Sequence, residues 1–239
     1  MVRRKPITVV EAVRRGHPDL EDPESAIAAG SVLVDGMVRT NAATLVRSDA
    51  TVTIVGSVPL RGEAKLRAAL DRFDVRVDGR ICLDVGAAAG GFTRVLLGAG
   101  ARRVYAVDAG HGQLLGSLRL DARVVNLEST NLGELTTESV PDEIEVFSVD
   151  VSYVSLSAAV PQLSRVAIAS QADLIALVKP MFELRLAGPP EEPPLLDEAL
   201  RMAIAGIEAA SWKVIESMDS PVTGARGARE MLIHARRLV

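Results

Sequence analysis

The run CLDVGAAAGGFT at residues 82–93 carries groups suited to binding a charged nucleoside. Cys82 to Val85 read as the end of a buried strand. The small residues from Gly86 to Gly91 read as a tight turn into a helix whose first N–H groups stay open to a ligand. A carboxylate, Asp84, stands two residues before the first glycine, where it would repel a diphosphate and attract an amino group and a sulfonium. A second, Asp108, closes the next apolar run, RRVYAVDAG, where a strand-tip carboxylate hydrogen-bonds ribose hydroxyls. Together the two acids point to S-adenosylmethionine rather than NAD. The plainer alternative is a ligand-free α/β turn with two exposed strand-end acids.

Groups able to move a proton lie elsewhere. Lysine is scarce, with Lys5, Lys65, Lys179 and Lys213 the full set. Lys179 ends the apolar run LIALVKP, and a lysine at a strand tip can lose its proton when desolvated, as arginine cannot. Asp150 ends VFSVD, Glu230 opens EMLIHA, and Lys65 lies in RGEAKL near the start of a helix. Each alone reads equally as a solvated strand end or a surface ion pair. As two lysines and two carboxylates, three of them expected at one rim and Lys65 able to reach it, they form a candidate reactive set.

Such a set needs a sheet whose strand ends converge. From Pro59 onward, apolar runs near Ile81–Val85, Arg103–Val107, Arg123–Leu127, Glu145–Val149, Leu174–Val178, Lys213–Met218 and Met231–Ala235 alternate mostly with helical patterns. One helical pattern, from about Glu63 to Phe73, precedes the first of them. Seven strands with intervening helices predict a doubly wound, Rossmann-like α/β sheet with ligands beyond the strand carboxyl ends. Only SPVTGARGARE separates the last two strands, so the final one is expected to run antiparallel. Residues 1–58 read as a small α+β module. It has a helix from about Thr8 to Arg15, a short helix ending at Gly30, a strand Val32–Val34, a hairpin turn at Asp35-Gly36, and a strand through Val52 to Val55. Residues 59–239 read as the larger domain. Ala187 to Pro194 (AGPPEEPP) predicts a stiff, extended, exposed loop.

Composition sets the outer bounds. With 48% hydrophobic and 24% charged residues, the chain has the profile of a soluble globular protein. No apolar stretch approaches a membrane span, and MVRRKPITVV lacks the apolar centre of a signal peptide. A lone cysteine, Cys82, excludes an internal disulfide and a cysteine-rich zinc site, as a reducing cytoplasm favours. No metal is expected. A net charge of −4 leaves no global basic footprint, so contact with RNA would need local patches.

The ordered motifs RGxxKL, DVGxxxGGFT, an acid after the second strand, DxSxxSL, LVKPxFE and SPxxGxxGxxE resemble those of the FtsJ-like ribose methyltransferases. They resemble more closely those of the TlyA-type proteins, called hemolysins or rRNA cytidine 2′-O-methyltransferases. The resemblance covers nearly the whole chain and includes the first module, which is similar to a small RNA-binding unit found in ribosomal proteins and rRNA-modifying enzymes. It implies methyl transfer from S-adenosylmethionine to a ribose 2′-hydroxyl of structured RNA, with rRNA or a ribosomal subunit as partner. The family's Lys-Asp-Lys-Glu tetrad falls on Lys65, Asp150, Lys179 and Glu230. In that arrangement Lys179 acts as base or as stabiliser of the alkoxide, Lys65 acts on it by like-charge repulsion, and the carboxylates orient the amines. Cofactor contacts carry over to Asp84, Gly86, Gly90, Gly91, Phe92 and Asp108, with Glu128 near the adenine. Tyr153 reads as a base-stacking group or a core aromatic, and His111 as a solvated loop histidine.

Several positions depart from the family pattern. Ala88 and Ala89 replace hydroxyl residues in the cofactor loop. LRLAGPPEEPPLLD replaces a glycine-rich segment, and Asp19, Glu21, Asp22 and Glu24 crowd the module where arginines are expected. Arg226, Arg229, Arg236 and Arg237 read as a solvated surface or a phosphate-contact strip. An alternative from another class is a non-catalytic RNA- or ribosome-binding protein that retains the fold. The hemolysin name adds a pore-forming reading, which no spanning segment supports.

Overall fold

The computed structural model describes residues 5–18, 20–54 and 60–238. Arg3, Arg4, Asp19, Val55 and the expected boundary at Val58 and Pro59 lie outside the described residues. The first part contains β1 (Ile7–Thr8), α1 (Val9–Gly16), α2 (Pro23–Ala28), β2 (Val32–Val34), β3 (Met37–Arg39), β4 (Leu45–Val46) and β5 (Val52–Ile54). The second begins with α3 (Arg61–Phe73), β6 (Ile81–Val85), α4 (Gly91–Gly98), β7 (Arg103–Asp108), α5 (Gly116–Arg119), β8 (Val124–Glu128) and β9 (Ile144–Val149). It continues through α6 (Leu156–Ala159), β10 (Ile168–Val178), α7 (Pro180–Glu183), α8 (Pro193–Ala209), β11 (Trp212–Asp219) and β12 (Met231–Arg237). Among the described residues no helix is long and apolar enough to cross a membrane.

Seven strands join one sheet in the order β11-β12-β10-β9-β6-β7-β8. The pairs from β10 to β8 are parallel, and β12 runs antiparallel to both β10 and β11. The expected α/β sheet with a reversed last strand is therefore present. β6 lies inside it and is buried along its whole length, because helices cover both faces. Alternation along the strand divides its side chains between two cores. Ile81, Leu83 and Val85 join Phe147, Leu156, Ala203 and Trp212 on one face. Cys82 joins Leu66 and Phe73 of α3 and Val95 and Leu96 of α4 on the other. Burial there pushes the Cys82 thiol up to about 12.

This topology aims the parallel strands' carboxyl ends at one edge. The register sets Val85 beside Val107 and Val149, and Val178 beside Met231, the first residue of the reversed β12. Gly86, Asp108, Asp150, Lys179 and Glu230 follow, end or precede these strands, so the sheet brings them to the same edge. One expectation fails nearby. Ala187 to Pro194 is not wholly an exposed loop: Pro190 is buried, and Pro193 and Pro194 form the first turn of α8. Proline suits that turn because its missing N–H has no helical partner to lose.

The first part of the chain has its own small core of Val9, Val13, Ile27, Val32 and Val34. Asp35 and Gly36 both take positive φ, 49° and 78°, and join β2 to β3 in the expected hairpin. The β1–β4 pair is only two residues long on each side, too short to show as alternation in the sequence. Arg14 is engaged by Glu24 at 2.7 Å. The Thr40 hydroxyl donates to the Gln113 carbonyl across to the larger part.

At the opposite edge of the sheet, buried Asp173 accepts hydrogen bonds from Arg80 at 2.7 Å, His234 at 2.8 Å and Arg236 at 3.1 Å. Burial alone would push its carboxyl up, but the His234 hydrogen bond and the two guanidinium groups hold it at about 2. A depressed carboxyl contributes stability that is complete above its ordinary value of 3.8 and is lost as pH falls through about 2. Asp173→Ala is expected to cost about 3 kcal/mol of unfolding free energy at neutral pH, because it strands buried donors. Denaturant midpoints of the two proteins test this, and equal midpoints would contradict it.

Candidate active site

Three cavities share lining residues at the carboxyl edge. The first, about 300 Å³, is lined by Gly86, Val107, Asp108, Gln113, Leu132, Asp150, Val151 and Ser152. The second, about 190 Å³, is lined by Arg61, Gly62, Gly86, Ala88, Gly91, Phe92 and Asp150. The third, about 240 Å³, is lined by Arg61, Lys65, Ser152, Lys179, Phe182, Pro189, Pro190, Arg229 and Glu230. Gly86 and Asp150 are common to the first two, Arg61 to the second and third, and Ser152 to the first and third.

Close backbone packing builds the junction. Gly86 has φ +83°, and a Cβ there would fall 2.3 Å from the carbonyl oxygen of Asp150. Only glycine permits both the turn and the approach. The Gly86 and Ala87 N–H groups donate to the Val107 carbonyl, and the Asp150 N–H donates to Val85. Gly90, in left-handed conformation, caps α4, whose first turn brings Gly91 and Phe92 to the second cavity.

Asp108 faces the first cavity. Its Oδ2 accepts the Ala88 N–H at 2.8 Å and its Oδ1 the Gly110 N–H at 2.7 Å, and each oxygen keeps a second lone pair. Apolar Val107, Leu132 and Val151 offer a surface for a heterocycle. The first two cavities thus fit a nucleoside carrying a short charged tail, with Asp108 placed for hydroxyls and Asp150 for a cationic group.

Asp84 and Glu128 do not line these cavities. Asp84 is fully buried, and its oxygens accept the hydroxyls of Thr93 at 2.6 Å and Ser148 at 2.8 Å. It ties β6 to α4 and β9, so its charge does not sort ligands in the cleft. Glu128 accepts the N–H groups of Gln113 and Leu114 and the Asn126 side-chain amide. Burial raises its carboxyl, but these donors outweigh that and lower it. Glu128 holds the Gln113 segment against the first cavity and does not itself enter it.

The four reactive candidates form two ion pairs of unlike exposure. Lys65 Nζ lies 2.5 Å from Glu230 Oε2, with side chains 7% and 5% exposed. Lys179 Nζ lies 2.5 Å from Asp150 Oδ1, at 14% and 21%. The Lys179 contact pairs charge without aligned hydrogen-bond geometry at that oxygen, and Nζ donates instead to Ser152 Oγ at 2.6 Å. Gly224 fits tightly around Glu230, since a Cβ there would fall 2.1 Å from Oε1. Glu230 matches the charge of Lys65 at contact, so the expected repulsion between the lysines is largely compensated.

Glu183 is a further participant. It is buried, which pushes its carboxyl up, and its Oε1 accepts the Leu156 N–H at 2.8 Å. This ties the turn after Lys179 to the helix after Asp150. Ser152, Glu183 and Arg61 all sit inside the motifs DxSxxSL, LVKPxFE and RGxxKL, which were the available signal for them. Tyr153 is 65% exposed and borders the first cavity, so it is no core aromatic. His111 is exposed and meets Ser129 at 3.3 Å. The arginine strip divides: Arg229 borders the third cavity, while Arg236 binds Asp173 and Arg237 lies over Trp212 at the far end of β12. Among the described residues no group of three or more His, Cys, Asp or Glu is placed to hold a metal ion.

Comparison with known proteins gives a consistent picture. Residues 59–237 match the FtsJ-like methyltransferase family. The 16S/23S rRNA (cytidine-2′-O)-methyltransferase TlyA of Mycobacterium tuberculosis is 37% identical over 246 residues, covering 99% of this chain and 91% of its own. The putative rRNA methyltransferase YqxC of Bacillus subtilis is 34% identical over 249 residues, covering 98% and 86%. A putative hemolysin from Streptococcus thermophilus has a similar structure, with a TM-score of 0.72, 28% identity, and coverage of 98% and 89%.

Burial pushes the Asp84 carboxyl up to about 6, against the pull of the Thr93 and Ser148 hydroxyls. A raised carboxyl contributes stability that is complete below its ordinary value of 3.8 and is lost as pH rises through about 6. The span corresponds to about 3 kcal/mol. Asp84→Asn, which stays neutral, is expected to flatten the decline in unfolding free energy across that range. Denaturant midpoints at successive pH values measure it, and a slope equal to the wild type's would refute the assignment.

Proposed function

We propose that this chain, which belongs to the FtsJ-like methyltransferase family, methylates a ribose 2′-hydroxyl of structured RNA with S-adenosylmethionine, and that this RNA is ribosomal. The observation that carries the reading is the position of the Lys179–Asp150 pair. Asp150 lines the nucleoside-shaped cavities and Lys179 lines the neighbouring one, so donor and acceptor sites meet across a single ion pair. The named activity of the Mycobacterium tuberculosis relative supports ribosomal RNA, and a cytidine, as the acceptor. Such a substrate places the enzyme in the cytoplasm. We assign residues 59–239 to the methyltransferase domain and residues 1–58 to the small module.

When bound, S-adenosylmethionine supplies an electrophilic methyl group on a sulfonium and leaves as the neutral thioether. Asp108 holds the ribose, the Gly86–Phe92 turn and Asp150 receive the charged tail, and Val107, Leu132 and Val151 enclose the base. Lys179 faces the acceptor cavity, where its amine takes the hydroxyl proton or stabilises the alkoxide as it forms. Lys65 and Glu230 close the floor of that cavity and join α3 to β12. Arg61 and Arg229 at its mouth provide cations for the flanking phosphates, and exposed Tyr153 provides a face for a base.

Lys179→Ala is expected to lower methyl transfer by about 10²-fold or more, with S-adenosylmethionine affinity unchanged. The test is labelled methyl incorporation into separated ribosomal subunits and naked rRNA, with cofactor affinity measured by calorimetry. Label that persists in the variant would remove Lys179 from the reaction. A wild-type protein that binds the cofactor yet labels no RNA would favour the non-catalytic ribosome-binding reading.

A further inference from the structure

Two residues past Asp150, Ser152 is exposed and borders both the nucleoside cavity and the acceptor cavity. Its hydroxyl oxygen lies 2.6 Å from Lys179 Nζ. The carboxylate beside it reaches the same nitrogen at 2.5 Å but without aligned hydrogen-bond geometry. One such contact at the end of a four-carbon stem leaves the amine free to turn about its terminal bond. Two contacts in different directions do not.

We propose that Ser152 is a positioning residue for the Lys179 amine, fixing which way its free direction points. A lysine nitrogen is tetrahedral: one direction is its own carbon, and three remain. Ser152 accepts along one, the Asp150 carboxylate lies against the amine as an ion-pair partner at 2.5 Å and fills a second side, and the remaining side is left for the acceptor cavity that Lys179 lines. A neutral amine would give one N–H to Ser152, keep the other on the side of Asp150, and aim its lone pair at the acceptor. An ammonium would aim its third N–H at the same point. When the neutral amine takes the 2′-hydroxyl proton, the O–H bond breaks and the N–H bond forms along that direction, while the hydrogen bond to Ser152 and the ion-pair contact with Asp150 stay in place. Glu183, by anchoring the Leu156 N–H, keeps the Ser152 and Lys179 turns at this spacing.

The proposal rests on the methyl-transfer reading and is tested with Ser152→Ala and Ser152→Thr in the full chain. Ser152→Ala is expected to lower kcat on the order of 10²-fold through misplacement of the amine, with KM for the RNA and cofactor affinity within about twofold of wild type. The pH dependence of kcat should change as well, and Ser152→Thr should recover most of the loss. A second readout does not need turnover. The chain holds four lysines, so side-chain 15N spectra of the labelled protein resolve Lys179 individually. Its signal should move in Ser152→Ala while that of Lys65 stays. An unchanged Lys179 signal, wild-type kcat in the alanine variant, or no recovery with threonine would each overturn the proposal. Should the wild-type protein methylate no RNA, the reaction reading fails on its own, and the Lys179 signal alone decides the positioning claim.

Discussion

The contact between the Gly86 turn and the Asp150 carbonyl sets the geometry of the whole cleft. β6 and β9 are neighbours in the sheet, and the missing side chain at Gly86 lets the turn after one strand lie on the turn after the other. Any larger residue would separate them and carry Asp150, and Lys179 with it, away from the first cavity. The requirement comes from the backbone and precedes any chemistry. It explains why small residues crowd a loop whose job is otherwise described by its charges.

The charges follow a second rule: most of those that are deeply buried are matched where they sit, Glu183 keeping one oxygen without a hydrogen-bond partner. Lys65 meets Glu230, Asp173 meets three nitrogen donors, and Asp84 meets two hydroxyls. A buried pair of this kind is weak support for stability, since apolar residues of like volume often serve as well. Its value is positional. Lys65 and Glu230 come from residues far apart in the chain and hold a helix to a strand with a fixed reach. Lys179 differs in remaining partly open to a cavity, with a hydroxyl and a carboxylate as neighbours.

Much of this was legible in the sequence. The seven strands lie close to their apolar runs, because a doubly covered sheet demands continuous hydrophobic stretches. Asp108, Asp150, Lys179 and Glu230 end up at one edge because each adjoins such a run, and Lys65 reaches Glu230 there from α3. The direction of side chains was not legible. Asp84 precedes the turn by two positions, so strand alternation turns it toward the core, and its partner Ser148 is known only once β6 and β9 are in register. Glu128 reads as a free strand end until the Gln113 loop folds over it. The arginine strip separates because Arg229 precedes β12 while Arg236 lies near its far end, roughly 23 Å away at about 3.3 Å per residue. The proline-rich segment folds inward at Pro190 through long-range packing that local stiffness does not announce.

Cys82 has a practical consequence. Its thiol is buried in the central strand and held in its protonated, unreactive form, and it is the chain's only cysteine. The native protein therefore already behaves as a thiol-silent background. Two cysteines introduced on the surface, one on the small N-terminal part and one beside the sheet, would be the sole sites for maleimide dyes or spin labels, and the distance between them could be followed without first engineering the core.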